Sequence, residues 1–95
     1  MKWTRQEQEC KGNYWFAGAC YLTAGVDADI PKDEIAAILL DLHRFIQQEQ
    51  GIDYLQVYTR DDGTKLWIID QVPRDELHEH PPEHNHYTIL FPHEY

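Results

Sequence analysis

The sequence predicts an α+β domain of element order β-α-β-β-β, with one long helix packed on one face of a mainly antiparallel sheet. Three observations carry that reading. The stretch PKDEIAAILLDLHRFIQQEQ repeats apolar residues every three or four positions, the period of a helix with one buried stripe. Two runs, IDYLQVYTR and KLWIIDQV, alternate with period two and are joined through Asp62-Gly63, a strong hairpin signal. A single amphipathic helix also needs one apolar sheet face to cover its stripe, which is the two-layer arrangement.

Residues 1–13 are polar and are expected to form a loose segment at the start of a single domain spanning 1–95. Residues 14–24 hold enough aromatic and small apolar side chains for a largely buried strand, with Gly18 marking a bulge or a close contact and Gly25 ending it. The helix is expected over about residues 31–50. Pro31 suits its first position, Asp33 and Glu34 complement its positive end, and Gly51 suits its C-terminal cap. Its stripe is Ile35, Ile38, Leu39, Leu42, Phe45 and Ile46. In the next strand Leu55, Val57 and Thr59 face one way and Tyr54, Gln56 and Tyr58 the other. A loop over 73–85 then leads to a last strand at about 86–91, because Pro81-Pro82 cannot donate ladder hydrogen bonds and Pro92 stops pairing. There Tyr87, Ile89 and Phe91 face one side, and His86, Thr88 and Leu90 the other.

Composition narrows the function. The formal net charge of −9 argues against direct nucleic-acid binding and against anionic membranes, and suits either plain solubility or a basic protein partner. Three Trp, six Tyr and three Phe are too many for a disordered chain. Cys10 and Cys20 form no CxxC pair and read as reduced thiols. The apolar stretch 14–26 is too short to span a membrane, and Glu7 and Glu9 spoil a basic leader, so the expected compartment is the cytoplasm.

Chemistry is constrained by what is missing. The chain has no serine, its five glycines stand singly, and no HExxH occurs. No catalytic residue is assigned and no enzyme is expected. The sharpest motif is HEHPPEHNH, where His78, His80, His84 and His86 could hold zinc or nickel, since two-residue spacing on a strand points both imidazoles one way. An ordinary solvated loop outweighs that alternative, because structural zinc sites usually include thiolates and both cysteines lie far upstream; no cofactor is expected. His43, at the edge of the helix stripe, reads as a core-edge residue.

A surface function fits better. Asp33, Glu34, Asp41 and Glu49 lie on the helix, with Asp27 and Asp29 just ahead of it. Carboxylates along a helix can imitate a phosphate row and occupy a basic groove of another protein, although any soluble helix shows a charged face. Tyr54, Tyr58 and Trp67 are the aromatic candidates if the second sheet face is open. Such a face needs a partner, a second copy or the N-terminal segment to cover it, so homodimerisation is a competing expectation.

Tyr21-x-Thr23-x-Gly25-Val26, Ile30-Pro31 opening a helix, and Asp53-Tyr54-Leu55-Gln56-Val57 resemble domain-of-unknown-function family 960, small uncharacterised proteins of Firmicutes and their plasmids and phages. Thr88-x-Leu90 and Glu94-Tyr95 are similar to that family's ending, so the resemblance covers about residues 21–95. Gln71-Val72-Pro73 departs from its pattern, and the His-rich loop is not a family feature. The resemblance implies the same fold order and an accessory role on mobile elements, and no catalytic residue.

Overall fold

The computed structural model describes residues 2–95. Five strands, β1 (Trp3–Arg5), β2 (Ala19–Leu22), β3 (Leu55–Arg60), β4 (Lys65–Asp70) and β5 (His86–Leu90), form one sheet in the order β1-β3-β4-β5-β2. All pairings are antiparallel except β2 with β5. Two helices, α1 (Ala24–Asp29) and α2 (Lys32–Glu49), share one face of it. The α+β architecture with one long helix is as expected.

The long helix ends where local chemistry ends it. Asp33 and Glu34 sit in its first turn, and the chain leaves through Gln50 (φ 56°) and Gly51 (φ 107°), both in the left-handed region that glycine tolerates best. Ile35, Ile38, Leu42 and Ile46 are buried and meet Tyr58, Leu66, Ile68, Tyr87 and Ile89 from the sheet, with Val26 and Ile30 of α1 in the same core. Each such side chain contributes about 1.5–3 kcal/mol when fully buried.

The β3–β4 hairpin turns through Gly63 at φ 91°. Asp62 accepts hydrogen bonds from the Thr64 amide and from both Arg60 Nε and Nη2, and these donors, Arg60 foremost, hold its carboxyl well below the usual carboxylate range. The prolines also act as read: β5 starts at His86 after two 3-10 turns, Arg74–Glu79 and Pro82–His84, and stops before Pro92.

Two expectations about the first third of the chain are corrected. Residues 1–13 are not uniformly loose, since Trp3–Arg5 pairs with Tyr58–Arg60 as an edge strand. This β1 is held from the helix side, where Trp3 Nε1 donates to Glu34 Oε1 at 2.7 Å and Arg5 lies over the Phe45 ring at 3.6 Å. The predicted buried strand over 14–24 is broken instead. Tyr14 makes an isolated bridge to Ile52, Phe16 turns at φ 49°, and only Ala19–Leu22 pairs, as an exposed sheet edge. Of the apolar run only the Phe16 ring (1% exposed) is fully buried, with Tyr14, Trp15 and Leu22 packed partly buried against the core, and no continuous strand forms. Gly18 is a close contact: a Cβ there would lie 2.0 Å from the Asn85 carbonyl oxygen.

Thr23 then caps α1, its Oγ1 accepting the Val26 amide at 3.3 Å. The same hydroxyl donates to Glu94 Oε1 at 2.8 Å, and that oxygen also accepts the Phe91 amide at 2.7 Å. Gly25 leaves room for this clamp, since a Cβ there would meet Glu94 Oε2 at 2.8 Å. The two donors, Phe91 first, hold the Glu94 carboxyl below its ordinary value of 4.5. A depressed folded-state pKa adds stability above 4.5 that is lost as pH falls through the folded value. Glu94→Gln is therefore expected to lower the urea midpoint at about pH 7, with the gap to the parent protein closing as the solution is acidified below the carboxylate range. A gap that stays constant with pH would remove the clamp from the account.

Candidate interaction surface

The period-two alternation of β3 and β4 leaves one side of each strand outside the core. Gln56 and Tyr58 point under the helix, as do Leu66, Ile68 and Asp70. The opposite side carries Leu55, Val57 and Thr59 on β3, and Lys65, Trp67 and Ile69 on β4. The ladder aligns Val57, Trp67 and Leu90 in one row, and Leu55, Ile69, Thr88 and Tyr21 in the next. Leu55, Val57, Trp67 and Ile69 are partly exposed and do not pack on the core cluster. Tyr95, 83% exposed, sets its ring edge-on to Trp67 at 5.6 Å. Tyr21 stacks on His86 at 4.7 Å at the β2 end of the same face.

The aromatic candidates divide accordingly. Trp67 stands on this open face. Tyr58 does not: it is 1% exposed, under α2, where its hydroxyl donates to Asp41 Oδ2 at 2.7 Å. Burial and the Asp41 carboxylate together push its phenol far above the ordinary value of 10.0. Tyr54 precedes β3, 46% exposed, with its ring 6.1 Å from Tyr14. Composition did not point to the inward set of β3, since Gln56 and Tyr58, the buried ones, are less apolar than Leu55 and Val57. Tyr21 and Tyr95 were not among the aromatic candidates, since Tyr21 was expected inside a buried strand and Tyr95 lies beyond the last strand.

The acidic candidates divide in the same way. Glu34 accepts from Trp3 and from Arg60 Nη1 at 3.4 Å, and only 12% of its side chain is exposed. Asp41 takes Arg5 Nε at 3.0 Å as well as Tyr58. These two carboxylates fasten α2 to β1 and β3; Glu34 is largely covered, whereas Asp41 stays about half exposed with its charge paired to Arg5. Asp33 is exposed and Glu49 partly so; neither has a hydrogen-bond or ion-pair partner among the described residues. An unbroken row of free carboxylates along the helix is therefore not what this chain presents.

The histidines separate into two settings. His78, His80 and His84 are exposed on the 3-10 turns; His78 Nε2 lies 4.0 Å from Glu79, His80 Nε2 3.7 Å from Glu76, and the His80 and His84 rings are 6.3 Å apart. His86 sits on β5 against Tyr21, with its Nδ1 buried and unpartnered. Among the described residues no three His, Cys, Asp or Glu side chains gather closely enough to hold an ion. His80→Ala and His84→Ala are expected to change stability by no more than about 0.5 kcal/mol in urea titrations, as exposed substitutions do. A larger loss at either position, together with a melting temperature that falls on chelation, would mark a zinc or nickel site.

No helix among the described residues is long and apolar enough to cross a membrane. Compared with family models, curated proteins and solved structures, the chain finds no match in any of the three.

Proposed function

We propose that the chain is a non-enzymatic protein-interaction module that docks a basic partner protein on the open face of its sheet. The observation that carries this reading is the helix-free face centred on Trp67, where Leu55, Val57 and Ile69 lie outside the core. Contiguous apolar patches of this kind on soluble chains commonly mark interaction sites. Trp and Tyr are the side chains most often found as binding hot spots, and Trp67 with Tyr95 supplies both at the centre of the patch. The net charge of −9 favours a basic partner, by steering its approach, over a second copy of the chain, which carries the same charge. An accessory role on a mobile element, kinship with family 960 and a cytoplasmic setting belong to the same proposal, and rest on the sequence resemblance and composition.

The test is affinity capture from the native host with the parent protein beside Trp67→Ala. A single dominant basic partner is expected, released as salt rises, and weakened by at least about 30-fold in Trp67→Ala, the equivalent of about 2 kcal/mol for a central aromatic anchor. Equal capture by both proteins would overturn the choice of face. A concentration-dependent dimer in sedimentation that Trp67→Ala abolishes would replace the basic partner with a second copy.

A further inference from the structure

The sheet ends in two edges of different character. β1 has Lys2 just before it and Arg5 within it, charged side chains of the kind that deter another strand from pairing. β2 reads ACYL, and the whole stretch 12–26 around it holds no charged residue. No proline interrupts it, and Ala19, Cys20 and Tyr21 are exposed.

Its pairing with β5 decides which backbone groups are left over. The Ala19 amide donates to the Asn85 carbonyl at 3.3 Å and the Thr23 amide to the Ile89 carbonyl at 3.2 Å. Alternate residues of a parallel ladder turn toward the neighbouring strand, so residues 19, 21 and 23 address β5 while Cys20 and Leu22 turn their amides and carbonyls outward. Among the described residues nothing hydrogen-bonds to these outward groups. Such an edge complements itself. Placed antiparallel, Cys20 lies opposite Leu22 of a second copy and Leu22 opposite its Cys20, and each pair exchanges two hydrogen bonds. Tyr21 then meets its own mate on the two-fold axis, in a pair where side chains approach most closely. Its ring is 51% exposed, stacked on His86 and aligned with Thr88 and Ile69 on the open face. A cross-strand aromatic pair at that point covers it.

We infer that a second copy of the chain pairs antiparallel on β2, joining two five-stranded sheets into one. The net charge of −9 opposes association of two copies in general, and this edge is where the opposition is least, because the contacting stretch is uncharged. Four residues a side is a small contact, so the dimer is weak and reversible. The two-fold axis stands perpendicular to the sheet, so both Trp67-centred faces lie on the same side of the dimer and stay uncovered. The contact is therefore separate from the docking proposed above.

The test is sedimentation of the full chain across concentration, with a monomer–dimer dissociation constant of about 10–500 μM expected. Cys20→Pro should weaken it by at least about tenfold, because the substitution removes an outward N–H and leaves every bond to β5 in place. Tyr21→Lys, which keeps the ladder and sets like charges together on the axis, should weaken it by at least about fivefold. Dispersed amide spectra show that both variants are folded. Trp67→Ala should leave the dimer unchanged, which separates it from one built on the open face. Cross-linking reads the register in a Cys10→Ala, Cys20→Ala background under a glutathione redox buffer. Tyr21→Cys should give a disulfide-linked dimer, whereas Ala19→Cys should not, since its two copies lie about 13 Å apart, beyond disulfide reach. A monomer at every concentration, a dimer that tolerates both Cys20→Pro and Tyr21→Lys, one that Trp67→Ala abolishes, or equal cross-linking at 19 and 21 would overturn the inference.

Discussion

Phe16→Ala is expected to lose about 3–5 kcal/mol of stability, a large share of the 5–15 kcal/mol that holds a domain of this kind together. Phe16 is 1% exposed and sets its ring edge-on to Tyr87 at a centroid distance of 5.5 Å. Its backbone amide donates to Asp70 Oδ2 at 2.9 Å, which ties residues 14–18 to the end of β4. Burial pushes the Asp70 carboxyl upward while the Phe16 and Gln71 amides pull it back, so this anchor is a buried group satisfied by backbone donors. Removing the ring leaves a cavity beside Tyr87 that a backbone held at both ends cannot close. The backbone angle gives a second reading of the same site. At φ 49° a side chain strains the chain by roughly 1–2 kcal/mol, and glycine does not. Phe16→Gly should therefore be no less stable than Phe16→Ala, against the usual penalty of glycine relative to alanine. Urea unfolding of the three proteins measures both statements; a loss below about 1 kcal/mol in Phe16→Ala would show the ring to be outside the core.

Leu42→Ala is expected to cost about 2–5 kcal/mol, the range for removing a fully enclosed leucine from a packed interior. Leu42 is fully buried at the centre of the α2 stripe, flanked by Ile38 and Ile46 one turn away on each side. Leu42→Met, which keeps the volume, should lose less than about 1.5 kcal/mol. Leu40 supplies the control, since it lies on the outer face of the same helix at 54% exposure, and Leu40→Ala should change stability by no more than about 0.5 kcal/mol. Equal losses at 40 and 42 would mean that the helix is rotated on the sheet. Phe91, expected to face the same side as Tyr87 and Ile89, is only partly buried and packs from the edge, 5.5 Å from and stacked on His93, so the full core cost is not expected there.

What the sequence determined by itself is what depends on near neighbours in the chain. The α2 stripe follows from the spacing of Ile35, Ile38, Leu42 and Ile46, and its end, to within a residue, from Gly51. The hairpin follows from Asp62-Gly63, and the limits of β5 from Pro81-Pro82 and Pro92. Each was legible because the cause lies within a few residues of the effect. Tertiary structure decided the rest. Trp3–Arg5 reads as polar and loose until Tyr58–Arg60 supplies its ladder, and Glu34 and Asp41 read as a free acidic face until Trp3, Arg5, Arg60 and Tyr58 claim them. Alternation alone did not place Tyr58 inward on β3, because Leu55 and Val57 are more apolar than the set of Tyr54, Gln56 and Tyr58. The choice fell to the helix, where Asp41 could meet the tyrosine hydroxyl. Phe16 could turn out of the predicted strand only because Asp70, fifty-four positions later, accepts its amide. These outcomes rest on partners distant in sequence, and a local period carries no information about which distant partner will arrive.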